Sequence, residues 1–440
     1  MGDTTPVARR GAALLVRGGR VIDSTGERRA DVLVRDGRVA AVEASIEPPD
    51  GARVLDAAGC VVAPGLVDLH THLRQPGFEQ AETIETGARG AALGGFTTVV
   101  AMPNTEPAID RAAVVREVLE LAVSAMCEVR PAGAITKGRR GEELAPLAEM
   151  AALGVRLFTD DGRGVQDPRL MRRALEYASA LRVTLAQHCE DERLAAGGHM
   201  HEGEWSSRLG LPGVPAEAEE LMVARDIALA RLTGGRVHLQ HLSTAGSVAL
   251  VRAAKAEPKD GHRGVAVTAE VTPHHLSLTD AAVASYDPLF KVNPPLRTPG
   301  DVDAVRTGLA DGTIDAVATD HAPHAQEDKE RTFDQAPPGM LGLETALAVV
   351  LTDVDLPIER ALAALSWQPA RIAGLDAGPV VEGRVADLCV IDPAAVWLVE
   401  AHRMASRSRN TPFAGRKLTG RVRHTIFRGE AVVVDAEAQR

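Results

Sequence analysis

Cysteine is scarce in this chain of 440 residues: Cys60, Cys127, Cys189 and Cys389 are the only four, and none form a Cys-x-x-Cys pair. That excludes a disulfide framework or a cysteine-type zinc site and suits reduced thiols in a cytoplasmic protein. Cys189 follows a histidine of interest, but strand neighbours face opposite ways, so it reads as a small buried filler. No apolar run reaches the roughly 18 residues that a membrane-spanning helix needs. Residues 1–10 are polar and no sufficient apolar core follows before Arg17 and Arg20, so no secretory leader is expected. Basic residues are outnumbered, 49 against 60 acidic, and the net charge of −11 argues mildly against nucleic acid or anionic membrane as a partner.

What is present is an ordinary globular composition, 45% hydrophobic and 25% charged. The length suits a large α/β barrel with an appendage, or two to three smaller domains. Short β-like runs fill both ends. They include Ala13–Arg17, Gly19–Asp23 and Asp31–Val42 with its Asp36-Gly37 hairpin signal, then Ala386–Asp392, Val422–Glu430 and Ala431–Val434. The middle alternates apolar strands with helical segments such as 111–125, 168–180 and 216–232. Eight strands are expected: 65–70, 97–102, 128–134, 155–159, 182–188, 236–241, 264–271 and 314–320. Eight strands with helical crossovers predict a (β/α)8 barrel, with its site at the strand C-terminal ends. No Gly-x-Gly-x-x-Gly follows the first of them to favour an open doubly wound sheet. The expected division is a β-sandwich domain from residues 11–63 plus 376–440 and a barrel from 64–375.

Ligand-type residues stand where those strands end. Strand one ends in His70-Thr-His72, and residues i and i+2 of a strand point to one side, as two ligands of one ion must. Alone, that pair could be surface histidines. Strand four runs into Asp160-Asp161-Gly162, strand five ends at His188, strand six at His241 and strand eight at Asp320. A buried His or a capping Asp explains one such ending, but packing does not explain five together. Four His and two Asp suffice for two divalent ions held roughly 3.5–4 Å apart, with zinc favoured by the nitrogen-rich set.

The segments His70-Thr-His-Leu-Arg74-Gln-Pro-Gly, Met102-Pro-Asn104-Thr, Phe158-Thr-Asp-Asp161-Gly, Lys291-Val-Asn293-Pro-Pro-Leu-Arg, Asp320-His-Ala-Pro-His324 and Pro338-Gly-Met-Leu-Gly-Leu-Glu-Thr resemble the amidohydrolase superfamily. More closely they resemble dihydroorotases of the long bacterial (class I) type, over nearly the whole chain. The resemblance implies two zinc ions per chain: His70, His72 and Asp320 on one, His188 and His241 on the other, with Asp161 and a hydroxide bridging. Many superfamily members bridge with a carboxylated lysine. Aspartate in its place is a mark of this subgroup, and the choice of Asp161 over Asp160 follows the motif. The usual Glu after the Arg is Gln75 here.

The implied reaction is reversible cyclisation of N-carbamoyl-L-aspartate to L-dihydroorotate in pyrimidine synthesis, with Asp320 shuttling the proton. Arg74 offers a fork for a carboxylate, with a structural salt bridge as its alternative. His72, Asn104, Asn293, His324 and the backbone of Pro338-Gly339 complete the expected substrate contacts, although either Asn could instead form a turn. His274 is expected behind the ligands and His321 in a structural role. His199 and His201 read as a polar loop, and 326–331 as a solvated loop over the mouth. A homo-oligomer is implied, and association with aspartate transcarbamoylase is left open. The alternatives are a hydantoinase- or allantoinase-like amidase, disfavoured by Asp161 and Arg74, and a noncatalytic transcarbamoylase scaffold, disfavoured by retention of all four histidines.

Overall fold

The computed structural model describes residues 13–257, 265–375 and 378–440. The segment read for a leader, Gly264 of the seventh expected strand and the domain limits at 11 and 376 lie outside the described residues.

The N-terminal runs form β1 (Leu14–Asp23), β2 (Gly26–Arg35), β3 (Arg38–Glu43), β4 (Arg53–Asp56) and β5 (Val61–Pro64). Asp36 and Gly37 turn β2 into β3 with φ of 48° and 76°, the positive pair that a tight hairpin needs. Then come β6 (Leu66–Thr71), β7 (Phe96–Ala101), β8 (Glu128–Pro131), β9 (Leu157–Phe158) and β10 (Thr184–Gln187). Next are β11 (Met200–His201), β12 (Gly213–Val214), β13 (Arg236–Leu239), β14 (Val267–Val271) and β15 (Ala316–Val317). The C-terminal strands are β16 (Leu388–Leu398), β17 (Lys417–Phe427), β18 (Glu430–Val434) and β19 (Glu437–Ala438).

All eight expected middle strands are present and closed into a parallel barrel. Ladders join β6, β7 and β8, and separately β9, β10, β13, β14 and β15. Single bridges from Gly133 to Phe158 and from Thr71 to His321 seal the two gaps. Most of the strands end earlier than expected, because the site residues leave the ladder: His241 and Asp320 sit at φ of 34° and 46°. Helices such as Ala112–Leu121, Pro168–Leu181 and Glu217–Thr233 fill the crossovers. Asp167 caps the second of these by accepting from the amides of Arg169 and Leu170.

Side-chain alternation divides the barrel into two layers. Leu185, Val237, Leu239, Ala269, Val271 and Val317 pack outward into the main core with helix residues such as Leu175, Val223 and Val251. Their neighbours Ala186, Ala316 and Ala318 fill a smaller cluster with Leu69 and Val100. These small residues leave room on the same inner side for His238, Gln240 and Glu270, all buried.

Both chain ends build one nine-stranded sheet, ordered β19-β18-β17-β16-β5-β1-β2-β3 with β4 on β1. It folds over on itself: the β2–β3 turn abuts the carbonyl of Arg428 beyond β17, and Val32 and Val34 share a core with Val390 and Ile426. That wrapping makes the expected sandwich from a continuous sheet. Its other face joins the main core through Ile22, Val61, Ala63 and Ile391.

Candidate metal centre

Five strand ends deliver six buried donors to one place. His70 Nε2 lies 3.2 Å from Asp161 Oδ1 and 3.5 Å from Asp320 Oδ1. His72 Nε2 is 2.9 Å from Asp320 Oδ1 and 3.5 Å from Asp161 Oδ2. On the other side, His188 Nδ1 meets His241 Nε2 at 2.8 Å, and the two stand 3.6 Å and 3.8 Å from Asp161 Oδ1. Asp161 therefore touches both halves. Among the described residues two compact groups could each hold an ion: His70, His72 and Asp320, and His70, Asp161 and His241. His188 joins the second through its contact with His241.

The donors fit a cation better than they fit each other. Asn104 Oδ1, an acceptor, sits 2.9 Å from His72 Nδ1, so that nitrogen carries the proton of a neutral ring. Bare Nε2 would then face an anionic Asp320 oxygen at 2.9 Å, two acceptors with nothing between. His70 Nε2 is buried without a hydrogen-bond partner, a state that costs roughly 1–3 kcal/mol when uncompensated. A divalent ion would relieve both. Burial pushes the Asp320 carboxyl up, but positive charge at His70 and His72 more than offsets it and holds it below the usual range. Asp161 is likewise lowered, against burial, chiefly by charge at His70; with these rings neutral, a bound cation would supply that charge instead. Burial lowers His72, which favours the neutral imidazole that metals bind.

Asp160 turns away from the donors. Its Oδ1 accepts from the amides of Ile135 (2.8 Å) and Thr136 (3.0 Å), and its Oδ2 from the Thr136 hydroxyl, so it fastens the loop after β8.

Arg74 stands beside the donors at φ 62°, its Nε donating to Pro323 O (3.0 Å) and an Nη 3.5 Å from His324 Nε2. Burial lowers its guanidinium to about 10, still charged at neutral pH. Burial and Arg74 together push His324 down to about 3, and its Nε2–H donates to Pro338 O at 2.8 Å. Gly339, at φ 145°, allows this approach: a Cβ there would meet His324 Nε2 at 2.7 Å. Asn293 Nδ2 lies 3.5 Å from His188 Nε2 and lines a cavity of about 240 Å³ with Glu190, Lys291 and Pro338. Asn104 and Asn293 thus touch the donors His72 and His188, while Arg74, His324, Pro338 and Gly339 are joined to one another.

Among the residues set aside, His274 is buried with Nε2 unpartnered, and His321 holds Glu82 and the amide of Gly342 in a structural role. Two expectations need correction. His201 is not in a polar loop: it pairs in β11 and is buried against Arg297, its Nδ1 3.1 Å from an Nη. The charged stretch 326–331 is not simply solvated, because Lys329 is buried and donates to Pro337 O at 2.9 Å. His201 depends on a partner 96 residues on, and Lys329 on a loop that folds back on itself eight residues later. Sequence reading missed Glu270 and His238, wholly buried beneath His70. A lone Glu inside the apolar run Val267–Val271 was the available signal.

Fold and donor set define the class: a (β/α)8 barrel of the amidohydrolase type, with its polar centre at the strand C-terminal ends. A solved L-hydantoinase (dihydropyrimidinase) from Arthrobacter aurescens superposes with a TM-score of 0.86 over 97% of each chain, at 26% identity. The Dihydro-orotase-like family profile matches residues 59–247. Dihydroorotases from Pelotomaculum thermopropionicum and Anaeromyxobacter dehalogenans are 51% and 52% identical over 96% and 97% of this chain and 99% of their own lengths. That of Streptomyces coelicolor is 51% identical over 96% of this chain and 99% of its own. The chain belongs to the dihydroorotase family.

Proposed function

We propose that this chain is a zinc-dependent dihydroorotase, interconverting N-carbamoyl-L-aspartate and L-dihydroorotate in the synthesis of UMP. The observation that carries this is Asp161 set between two pairs of histidines, with Arg74 at the rim. His70, His72 and Asp320 would hold one ion and His188 and His241 the other, with Asp161 shared. Bound zinc lowers the pKa of water and polarises an amide carbonyl.

The remaining work belongs to the side chains. Arg74 takes the substrate carboxylate in a charge-assisted pair, and His324 is kept neutral beside it, offering a ring nitrogen. Asn104 and Asn293 orient the ring amide, and the Pro338-Gly339 backbone flanks it. In the hydrolytic direction water attacks the ring carbonyl and Asp320 accepts its proton. As the C–N bond breaks, the proton passes to the departing ring nitrogen. Cyclisation runs the same steps in reverse, releasing water.

The fold likeness to hydantoinases favours a second reading, cyclic amidase activity on hydantoins. Asp161 in place of a lysine and Arg74 at the rim argue against it. Assaying dihydroorotate, hydantoin and allantoin side by side, with zinc measured in the same sample, decides between them. The expected outcome is about two zinc per chain and dominant turnover of dihydroorotate; greater turnover of hydantoin or allantoin would sink the proposal.

We further propose the division into a composite sheet domain (11–63 with 376–440) and a barrel (64–375). The protein is read as cytoplasmic, its four cysteines buried and unpaired. Assembly as a homo-oligomer, with or without aspartate transcarbamoylase, belongs to the same reading.

A further inference from the structure

Glu270 lies near the end of β14 with no exposure to solvent. A carboxylate in such a place is costly unless each oxygen is engaged. It is not one of the six donors, yet both its oxygens meet imidazoles from other strands. Oε1 is 2.9 Å from His70 Nδ1 on β6, and Oε2 is 2.9 Å from His238 Nε2 on β13. The backbone amide of His241 approaches Oε1 at 3.4 Å, and His238 Nδ1 lies 2.9 Å from the hydroxyl of Thr268.

The row has a direction. A carboxylate oxygen and a bare ring nitrogen repel at this distance, so His70 carries its proton on Nδ1. A neutral imidazole has one proton, which leaves the lone pair on Nε2. That nitrogen is the one aimed at Asp161 and Asp320. By the same logic His238 donates from Nε2 to Glu270 and accepts from the Thr268 hydroxyl at Nδ1. The Gln240 amide nitrogen also lies 3.2 Å from His70 Nδ1, but it cannot donate to a nitrogen already holding a proton for Glu270. Gln240 is instead anchored through its carbonyl, which accepts from Thr159 at 2.8 Å.

We infer that Glu270, braced by His238 and Thr268, is a positioning residue that fixes His70 in the tautomer whose Nε2 faces the cation. The inference rests on His70 being a metal ligand. A carboxylate behind a ligating histidine also makes the ring a better donor, and such partners typically contribute 10–100-fold in metal affinity. Glu270 reaches no reacting atom, so it acts through His70 alone.

Two variants of the full chain test this: Glu270→Gln, nearly the same shape, and His238→Leu, which strips the far side of Glu270 without touching His70. Zinc affinity is read by competition with a chelating dye. The His70 tautomer is read from ¹⁵N spectra of metal-free, histidine-labelled protein, with the His70 signals identified by their loss in His70→Asn. Glu270→Gln should bind zinc roughly 10–100-fold more weakly, with unchanged circular dichroism and His70 spread over both tautomers. His238→Leu should show a smaller loss in the same direction. Parent-like zinc affinity in Glu270→Gln, with His70 still protonated at Nδ1, overturns the inference alone. If Glu270→Gln does not fold, parent-like affinity in folded His238→Leu overturns it. Parent protein that takes up no zinc overturns the metal-site reading and this inference with it.

Discussion

Asp160 and Asp161 are adjacent, chemically identical and both buried, yet they face different tasks. Asp160 holds two backbone amides and a hydroxyl in the loop after β8; Asp161 meets four imidazoles. Asp161→Asn should therefore lose zinc yet melt where the parent stripped of zinc does. Asp160→Ala should keep its donors but lose about 1–3 kcal/mol by orphaning those groups, read as a lower midpoint in urea. Exchanged phenotypes would reverse the assignment. Arg74 makes a parallel case. Arg74→Ala should raise KM for dihydroorotate by about 10- to 100-fold, the loss of a charge-assisted pair worth roughly 1.5–3 kcal/mol. Its zinc content should stay at the parent level, and zinc loss would mark Arg74 as a scaffold residue.

At the scale of elements, the helix Glu217–Thr233 carries Asp226 without solvent exposure, and burial pushes its carboxyl up to about 6 against the pull of Arg225. In the unfolded chain the group ionises near its ordinary value of 3.8. Between those values the unfolded state has released a proton that the folded state retains, so this group's contribution falls as pH rises and levels off above about 6. Asp226→Asn removes the slope. The variant-minus-parent difference in Tm should climb from pH 4 to about 6.5 and then stay flat; a level difference throughout would show that Asp226 titrates normally. Gly65, between β5 and β6, is constrained by space: a Cβ would fall 2.0 Å from Thr97 Oγ1. Gly65→Ala should cost about 1–3 kcal/mol in denaturant unfolding. The six donors were legible in the sequence because each ends an apolar run, and the barrel because those runs recur between amphipathic helices. Glu270 and His238 were not, since a charged residue within a strand does not name the partner it finds across the barrel. Lys329 read as solvated for a local reason: its acceptor, Pro337 O, is set by how the loop folds back.

Across the whole molecule, donors from both halves of the barrel would be joined by bound ions, so metal should contribute to global stability. Stripping zinc with a chelator should lower Tm reversibly, by about 4 kcal/mol of stability where free metal had stood a thousandfold above its Kd. An unchanged Tm would mean the cluster is held without an ion. The main core runs from barrel helices into Val61, Ala63, Cys389 and Ile391, so a chain cut after residue 387 should be insoluble or melt without cooperativity. The pairing of β5 with β16 also sets an order of events during synthesis. Val61–Pro64 finds its partner Leu388–Ile391 only after the whole barrel sequence has been made. At about 5–20 residues per second, that interval lasts roughly 15–65 s. For that time the nascent chain carries an apolar strand with one hydrogen-bonding edge open. Shielding that edge until Ile391 has been made should therefore raise the yield of native protein.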